Sequence, residues 1–223
     1  MNTKAYIAEF ISTFALIFVG VGSIVADHLT AGAAGLTGIA LAHGLVLAVM
    51  ITATAAISGG HVNPAVTLGA LSAGKIDVKN ALGYIVAQCL GGLVAAYVLL
   101  MAVPSDALHA VNFGTPALGP NISVVQGLVA EIVLTFFLMF AVYGTAMDRR
   151  APKMGGLFIG LTVTLDILVG GPITGAAMNP ARHLGPALVG GSMDNLWLYW
   201  VGPIIGAVLA ALVYKNVFEE KAA

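Results

Sequence analysis

Two asparagines stand where a side-chain amide could act on a solute. Asn63 lies in GGHVNPAVTLG (59–69) and Asn179 in GAAMNPARHLG (175–185). Asn is a favoured helix N-cap and Pro a favoured first helical residue. Each triplet, Asn63-Pro64-Ala65 and Asn179-Pro180-Ala181, therefore predicts a helix start. A capping Asn uses its carbonyl oxygen on backbone N–H groups, which leaves its NH2 free to donate elsewhere. Arg182, in the second motif, adds a fork of donors. The chemistry on offer is hydrogen-bond donation to a dipolar molecule. No nucleophile–base pair appears, and no His, Cys or Asp cluster has metal-ligand spacing. Neither an enzyme activity nor a cofactor is expected.

The elements that hold these residues must live in lipid. Hydrophobic residues make up 59% of the chain and charged residues 9%, with a mean hydropathy of +0.99. A soluble domain needs about 25% charged residues to wet its surface. A net charge of −1 excludes nucleic acid as a partner, since phosphate binding needs a basic patch. Cys89, the single cysteine, cannot form an intrachain disulfide and reads as a small hydrophobe facing lipid or core. The 28 glycines fit close packing of membrane helices. The first residues could pass for a secretory signal, but Glu9 interrupts the apolar run and the same pattern returns later in the chain.

That return is an internal repeat. AEFISTFALIFVGVGS from Ala8 matches AEIVLTFFLMFAVYGT from Ala130, and ISGGHVNPAVTLG from Ile57 matches ITGAAMNPARHLG from Ile173. KNALGYIVAQCLGGLVAA from Lys79 echoes DNLWLYWVGPIIGAVLAA from Asp194. One channel-like domain over 1–223 is expected, with repeat one at about 1–103 and repeat two at about 121–218. Each half holds three apolar segments of spanning length: Ala5–Ala26, Leu36–Ile57 and Ala81–Val103, then Ile122–Ala146, Met154–Gly170 and Leu196–Phe218. Three is odd, so the second copy enters the membrane from the opposite side. The expected fold class is an all-α membrane protein: six transmembrane helices plus two half-helices in an inverted 3+3 repeat.

Charge orients it. Of the nine basic residues, all but Arg182 fall at the termini or in the loops after spans two and four. Those places share one face, and positive charge marks that face as cytoplasmic, so both termini lie inside. The stretches Pro64–Ala73 and Pro180–Gly190 are too short to cross. Inversion brings them in from opposite faces with their N-termini meeting near the midplane. Irregular backbone at that depth requires burial in protein or a water-filled cavity. Two N-termini add about half a positive charge each at that point. A water there would accept from both Asn groups and turn its hydrogens outward.

By these motifs the chain resembles the aquaporin, or major intrinsic protein, family over essentially its whole length: AEF in span one, SGGHVNPAVT, AE in span four and MNPAR with GPA after it. The resemblance implies a pore that passes neutral dipoles and bars protons and cations. It also implies a homotetramer with one pore per subunit. His43, Ile167, Ala176 and Arg182 match the positions of the family's selectivity filter. Strict water channels usually carry Phe and His at the first two positions, and glycerol channels Trp, Gly and then Phe at the third. This set resembles neither, and is most similar to plant vacuolar (tonoplast) aquaporins, some of which pass ammonia and urea. Arg182 replaces Val66 of the first repeat, and an Arg in the membrane costs about 2.5–3.5 kcal/mol even on the lenient scale. It is expected both to tie down its loop and to face solutes.

Other polar residues leave two roles open. His109 matches a histidine that some ammonia-passing relatives fold into the pore mouth, or is a solvated loop residue. His61 lines the inner vestibule or packs. Glu9 and Glu131 are repeat-matched and read as acceptors for half-helix loops rather than a proton relay. Asp166 braces the loop before Asn179 or bonds to His43.

The leading expectation is a passive water channel with a relaxed filter that admits small neutral solutes. The alternative is an ammonia, glycerol or urea facilitator of the same fold. A coupled secondary transporter would need midplane oxygens for a cation, where these motifs supply donors. A structural membrane protein with an incidental pore has no extended domain to support it. The short termini point to a cell (inner or plasma) membrane.

Overall fold

The computed structural model describes residues 2–220 as helices and turns, with no strand among them. In chain order the helices are α1 (Thr3–Leu29), α2 (Gly35–Ser58), α3 (Pro64–Ser72), α4 (Val78–Ala102), α5 (Ser105–Ala110) and α6 (Val124–Val142). They continue as α7 (Gly155–Thr174), α8 (Pro180–Gly190) and α9 (Leu198–Val213). A π-helical turn extends α6 to Met147 and another extends α9 to Phe218. Six helices, α1, α2, α4, α6, α7 and α9, are long and apolar enough to cross a membrane. α3 and α8 are the two half-helices. The protein is an all-α membrane protein with the inverted 3+3 arrangement.

Two boundaries differ from expectation. α7 continues to Thr174, past Gly170, because Pro172 is accommodated inside its last turns rather than ending it. The outer loop after α4 contains the short helix α5, where the sequence shows no span and no helix was expected.

The helices close on one another through glycines. A Cβ on Gly91 of α4 would lie 2.4 Å from the Phe10 carbonyl of α1, and one on Gly206 of α9 would lie 2.2 Å from that of Ile132 in α6. α2 and α7 cross at Gly44 and Gly160, each backbone filling the space a side chain would take. The half-helices pack on the opposite repeat. α8 meets α4, with Gly185 against the Gly92 carbonyl, and α3 meets α9, with Gly69 against that of Ala207. Each half-helix is thus held by the third span of the other half.

The outward surface is apolar, with Val49, Leu82, Val125, Leu165 and Val169 among its exposed side chains. The buried interior holds the polar set: Glu9, Thr67, Gln88, Glu131 and Arg182 are each at most 4% exposed. This inversion of the usual polar-out pattern is what a lipid solvent demands.

Candidate functional site

Each half-helix begins as its Asn-Pro pair predicts. Asn63 is extended, with its Oδ1 accepting from Ala65 N at 2.8 Å, and Pro64 is the first helical residue. Asn179 is likewise extended, and its Oδ1 accepts from Ala181 N at 3.0 Å and Arg182 N at 3.3 Å. The two caps face one another. Asn63 Nδ2 donates to the Met178 carbonyl at 2.8 Å, and Asn179 Nδ2 donates to that of Val62 at 2.9 Å. The expectation of wholly free amides is therefore corrected: one N–H of each is used across the junction, and one remains for a solute. The reason lies in the backbone. Val62 and Met178 take left-handed conformations (φ 56° and 51°), which turn their carbonyls toward the opposite cap.

That backbone is costly for a β-branched residue, and the two buried carboxylates hold it. Glu9 accepts from Ser58 Oγ (2.6 Å), His61 N (2.9 Å), Val62 N (2.6 Å) and Gln88 Nε2 (2.8 Å). Glu131 accepts from Thr174 Oγ1 (2.6 Å), Ala177 N (2.9 Å) and Met178 N (2.7 Å). Tyr84 and Tyr199 donate to the last carbonyls of α2 and α7, on Ser58 and Thr174. Each carboxylate thus takes up loop N–H groups that no helix or sheet could serve.

A narrow cavity of ≈ 30 Å³ runs beside the junction. Both Asn63 and Asn179 line it, and so do His43, Ile167, Ala176 and Arg182. At about 10–15 Å³ for one water, this space holds two or three waters. A vestibule of ≈ 300 Å³ lies on the side of Lys75, and His61, Val66 and Ile159 belong to the walls of both spaces. His61 also bonds through Nδ1 to Thr67 Oγ1 at 3.1 Å and packs edge-on against Tyr84, so the vestibule and packing roles coexist. Cys89 lines neither space.

Arg182 is 4% exposed, and its Nη1 donates to the Gly114 carbonyl at 2.8 Å while other guanidinium donors remain available to the cavity. His43 bonds through Nδ1 to the Ile39 carbonyl at 2.9 Å. Its ring fills the notch left by Gly20, where a Cβ would lie 2.5 Å from Nε2.

Of the two roles left open for His109, the exposed loop residue is the one observed: it does not line the cavity, its Nδ1 bonds to the Ser105 carbonyl within α5 and its ring packs on Phe113. The helical turn of α5 points the imidazole back along its own axis. The expectation for Asp166 is corrected: it neither braces the loop nor meets His43. It makes no hydrogen bond to either, and its Oδ2 is buried without a partner.

Sequence reasoning passed over Gly20, Gln88, Ser58, Thr174 and the Gly114 carbonyl. Ser58 and Thr174 occupy matched repeat positions, which was a usable signal. A backbone carbonyl in a loop carries none.

Six spans around two opposed half-helices, with a narrow lumen past their tips, define a membrane channel. The major intrinsic protein family matches residues 1–214. Aquaporin TIP4-4 of Zea mays is 46% identical over 224 residues, covering 96% of this chain and 86% of that protein. Probable aquaporin TIP3-2 of Arabidopsis thaliana is 47% identical over 227 residues, covering 96% and 83%. The aquaglyceroporin structure from Plasmodium falciparum superposes with a TM-score of 0.87 at 26% identity, covering 97% of each chain. The chain belongs to the major intrinsic protein family. It is a multi-pass membrane channel and not an enzyme.

Proposed function

We propose that the channel passes water in single file and, through a relaxed filter, small neutral solutes. The observation that carries this is the junction itself: two capped helix tips, bonded to each other, leave one further amide N–H each beside a cavity with room for two or three waters. A water there accepts from Asn63 and Asn179 and turns its hydrogens away, which breaks a proton wire. The two positive helix ends repel cations.

His43, Ile167, Ala176 and Arg182 form the filter in this reading. Asn63-Pro64-Ala65 and Asn179-Pro180-Ala181 form the central constriction, and His61 faces the inner vestibule. Ile167 offers the lumen no donor and Ala176 only a methyl, so the ring is less polar than one that carries His at the first of these positions and wider than one that carries Phe at the second. Glu9 and Glu131 are structural acceptors. The chain works as one domain of two inverted repeats, about 1–103 and 121–218, assembled as a homotetramer in the lipid bilayer. Basic residues at the termini and inner loops orient both termini to the cytoplasm. The membrane is the cell membrane in this reading. Residence in an internal membrane, to which the tonoplast-type filter points, is decided by fractionation.

The second reading keeps the fold and makes ammonia, glycerol or urea the main solute. The apolar Ile167–Ala176 side favours it. Stopped-flow light scattering on proteoliposomes separates the two. Fast shrinkage in an impermeant osmolyte, with low activation energy, supports water. Bare-lipid shrinkage with fast solute entry supports the alternative. Arg182→Val, the residue of the first repeat, should retain water flow and raise the solute-to-water permeability ratio. An unchanged ratio removes Arg182 from the filter. Saturable, gradient-driven uptake would instead revive a coupled transporter.

A further inference from the structure

His183 follows Arg182 in α8 and is fully buried, its ring stacked on Tyr199 with centroids 4.1 Å apart. Neither of its ring nitrogens has a hydrogen-bond partner in the protein. Leaving such groups dry is costly, so a native structure supplies a partner.

Comparison with the first repeat shows why no side chain serves. The matched residue there is Thr67, whose hydroxyl meets Gln88 Nε2 at 3.0 Å and His61 Nδ1 at 3.1 Å. In the second repeat those two positions are Pro203 and Ala177, neither of which carries a polar side chain. His183 therefore occupies a polar niche whose protein partners have been exchanged for apolar ones. What lies beside it instead is the outer loop. The Pro116 carbonyl lies next to the ring. Thr115 is also buried, with an unpartnered hydroxyl. The preceding residue, Gly114, carries the carbonyl that holds Arg182. Successive loop residues thus adjoin successive residues of the half-helix.

We infer that His183 binds a buried water that ties its imidazole to the outer-loop segment 114–116, and so positions the Gly114 carbonyl that orients Arg182. A neutral imidazole offers one donor and one acceptor, and a carbonyl and a hydroxyl lie in the adjoining segment, which gives a water the two to four partners it needs. His183 acts through Arg182 and does not touch the solute. The inference rests on the filter reading of Arg182.

The test compares His183→Phe, which keeps the stacked ring and removes both nitrogens, with His183→Gln, whose amide restores a donor and an acceptor. The readout is the urea-to-water permeability ratio of proteoliposomes. His183→Phe should raise the ratio about threefold or more, the effect of losing one buried hydrogen bond, while His183→Gln stays within about twofold of wild type. An unchanged ratio in His183→Phe overturns the inference. So does an equal rise in both variants, which would make ring shape the cause. If His183→Phe fails to insert, a high-resolution map of the wild type decides. Solvent density within hydrogen-bond distance of a His183 nitrogen supports the inference, and nitrogens paired only with protein atoms refute it. Failure of the filter reading is read separately, as an Arg182→Val ratio equal to wild type.

Discussion

Asn63 donates its side-chain amide to the main-chain carbonyl of Met178, the residue that precedes the other half-helix's cap, at 2.8 Å. Asn179 returns the bond to Val62. The two repeats are thus locked by a reciprocal pair of bonds where the positive ends of the two half-helices meet. Asn63→Asp keeps the cap and the shape but turns this donor into an acceptor facing a carbonyl. Loss of the bond with a buried acceptor left unpaired costs about 1–3 kcal/mol. The expected outcome is a lower melting temperature in detergent together with a gain of cation leak in proteoliposomes. Wild-type stability with tight vesicles would show that the cross-junction bond does not hold the tips.

Glu9 and Glu131 are acceptors for loops that have no regular pairing. Glu9→Gln places amide hydrogens against N–H groups of His61, Val62 or Gln88, and should cost about 1.5–3 kcal/mol, the range for a hydrogen bond to a charged group. Glu131→Gln should cost less, because Glu131 takes three donors where Glu9 takes four. Neither change should alter proton flux measured with a vesicle-entrapped pH dye. A large change in that flux with unaltered melting would make these residues a relay after all.

Much of this was legible in the sequence, and the exceptions share a cause. The spans follow from apolar length, the inversion from an odd count, and the caps from Asn-Pro chemistry, all of which are local or periodic signals. The cross-junction bonds were not legible, because they depend on left-handed conformations at Val62 and Met178 that no side-chain type announces. His109 stayed open between two roles for the converse reason: its identity fits a pore mouth, and only the turn of α5 directs its ring to Ser105 and Phe113. Asp166 shows that neighbours in sequence, here Ile167, need not share a face on a helix.

Gly20 is a residue of the lumen by omission. A Cβ at this position would stand 2.5 Å from His43 Nε2, so Gly20→Ala must push the imidazole toward the lumen. In a cavity this narrow the displaced ring occupies the space of a water. Water permeability should fall severalfold, with helix content by circular dichroism unchanged. Gly20→Ala combined with His43→Ala should recover flow. Failure of that recovery would place the effect in the packing of α1 rather than at His43.

The face that bears the end of α9 and the loop after α3 carries a clamp that should respond to pH. Glu219, beyond α9, bonds to Lys75 Nζ in the loop after α3 at 2.5 Å and accepts from Tyr143 at the end of α6 at 2.7 Å. Lys75 first, and Tyr143 second, hold the Glu219 carboxyl below its ordinary range. A carboxyl whose native value is depressed contributes its stabilisation fully above the unfolded value, about 4.3, and loses it as pH falls through the native one. The ends of α6 and α9 should therefore stay pinned at neutral pH and loosen only in acid. Limited proteolysis of the C-terminal segment, followed as pH is lowered, should show protection that persists into the ordinary carboxyl range and faster cleavage only at more acid pH. Glu219→Gln lacks the charged pair at every pH, so its cleavage should be faster than wild type at pH 7 and show no acid step of its own. Equal cleavage of the two proteins at pH 7 would mean that the clamp holds nothing, and that the tail is retained by Arg150 and its bond to the Phe218 carbonyl.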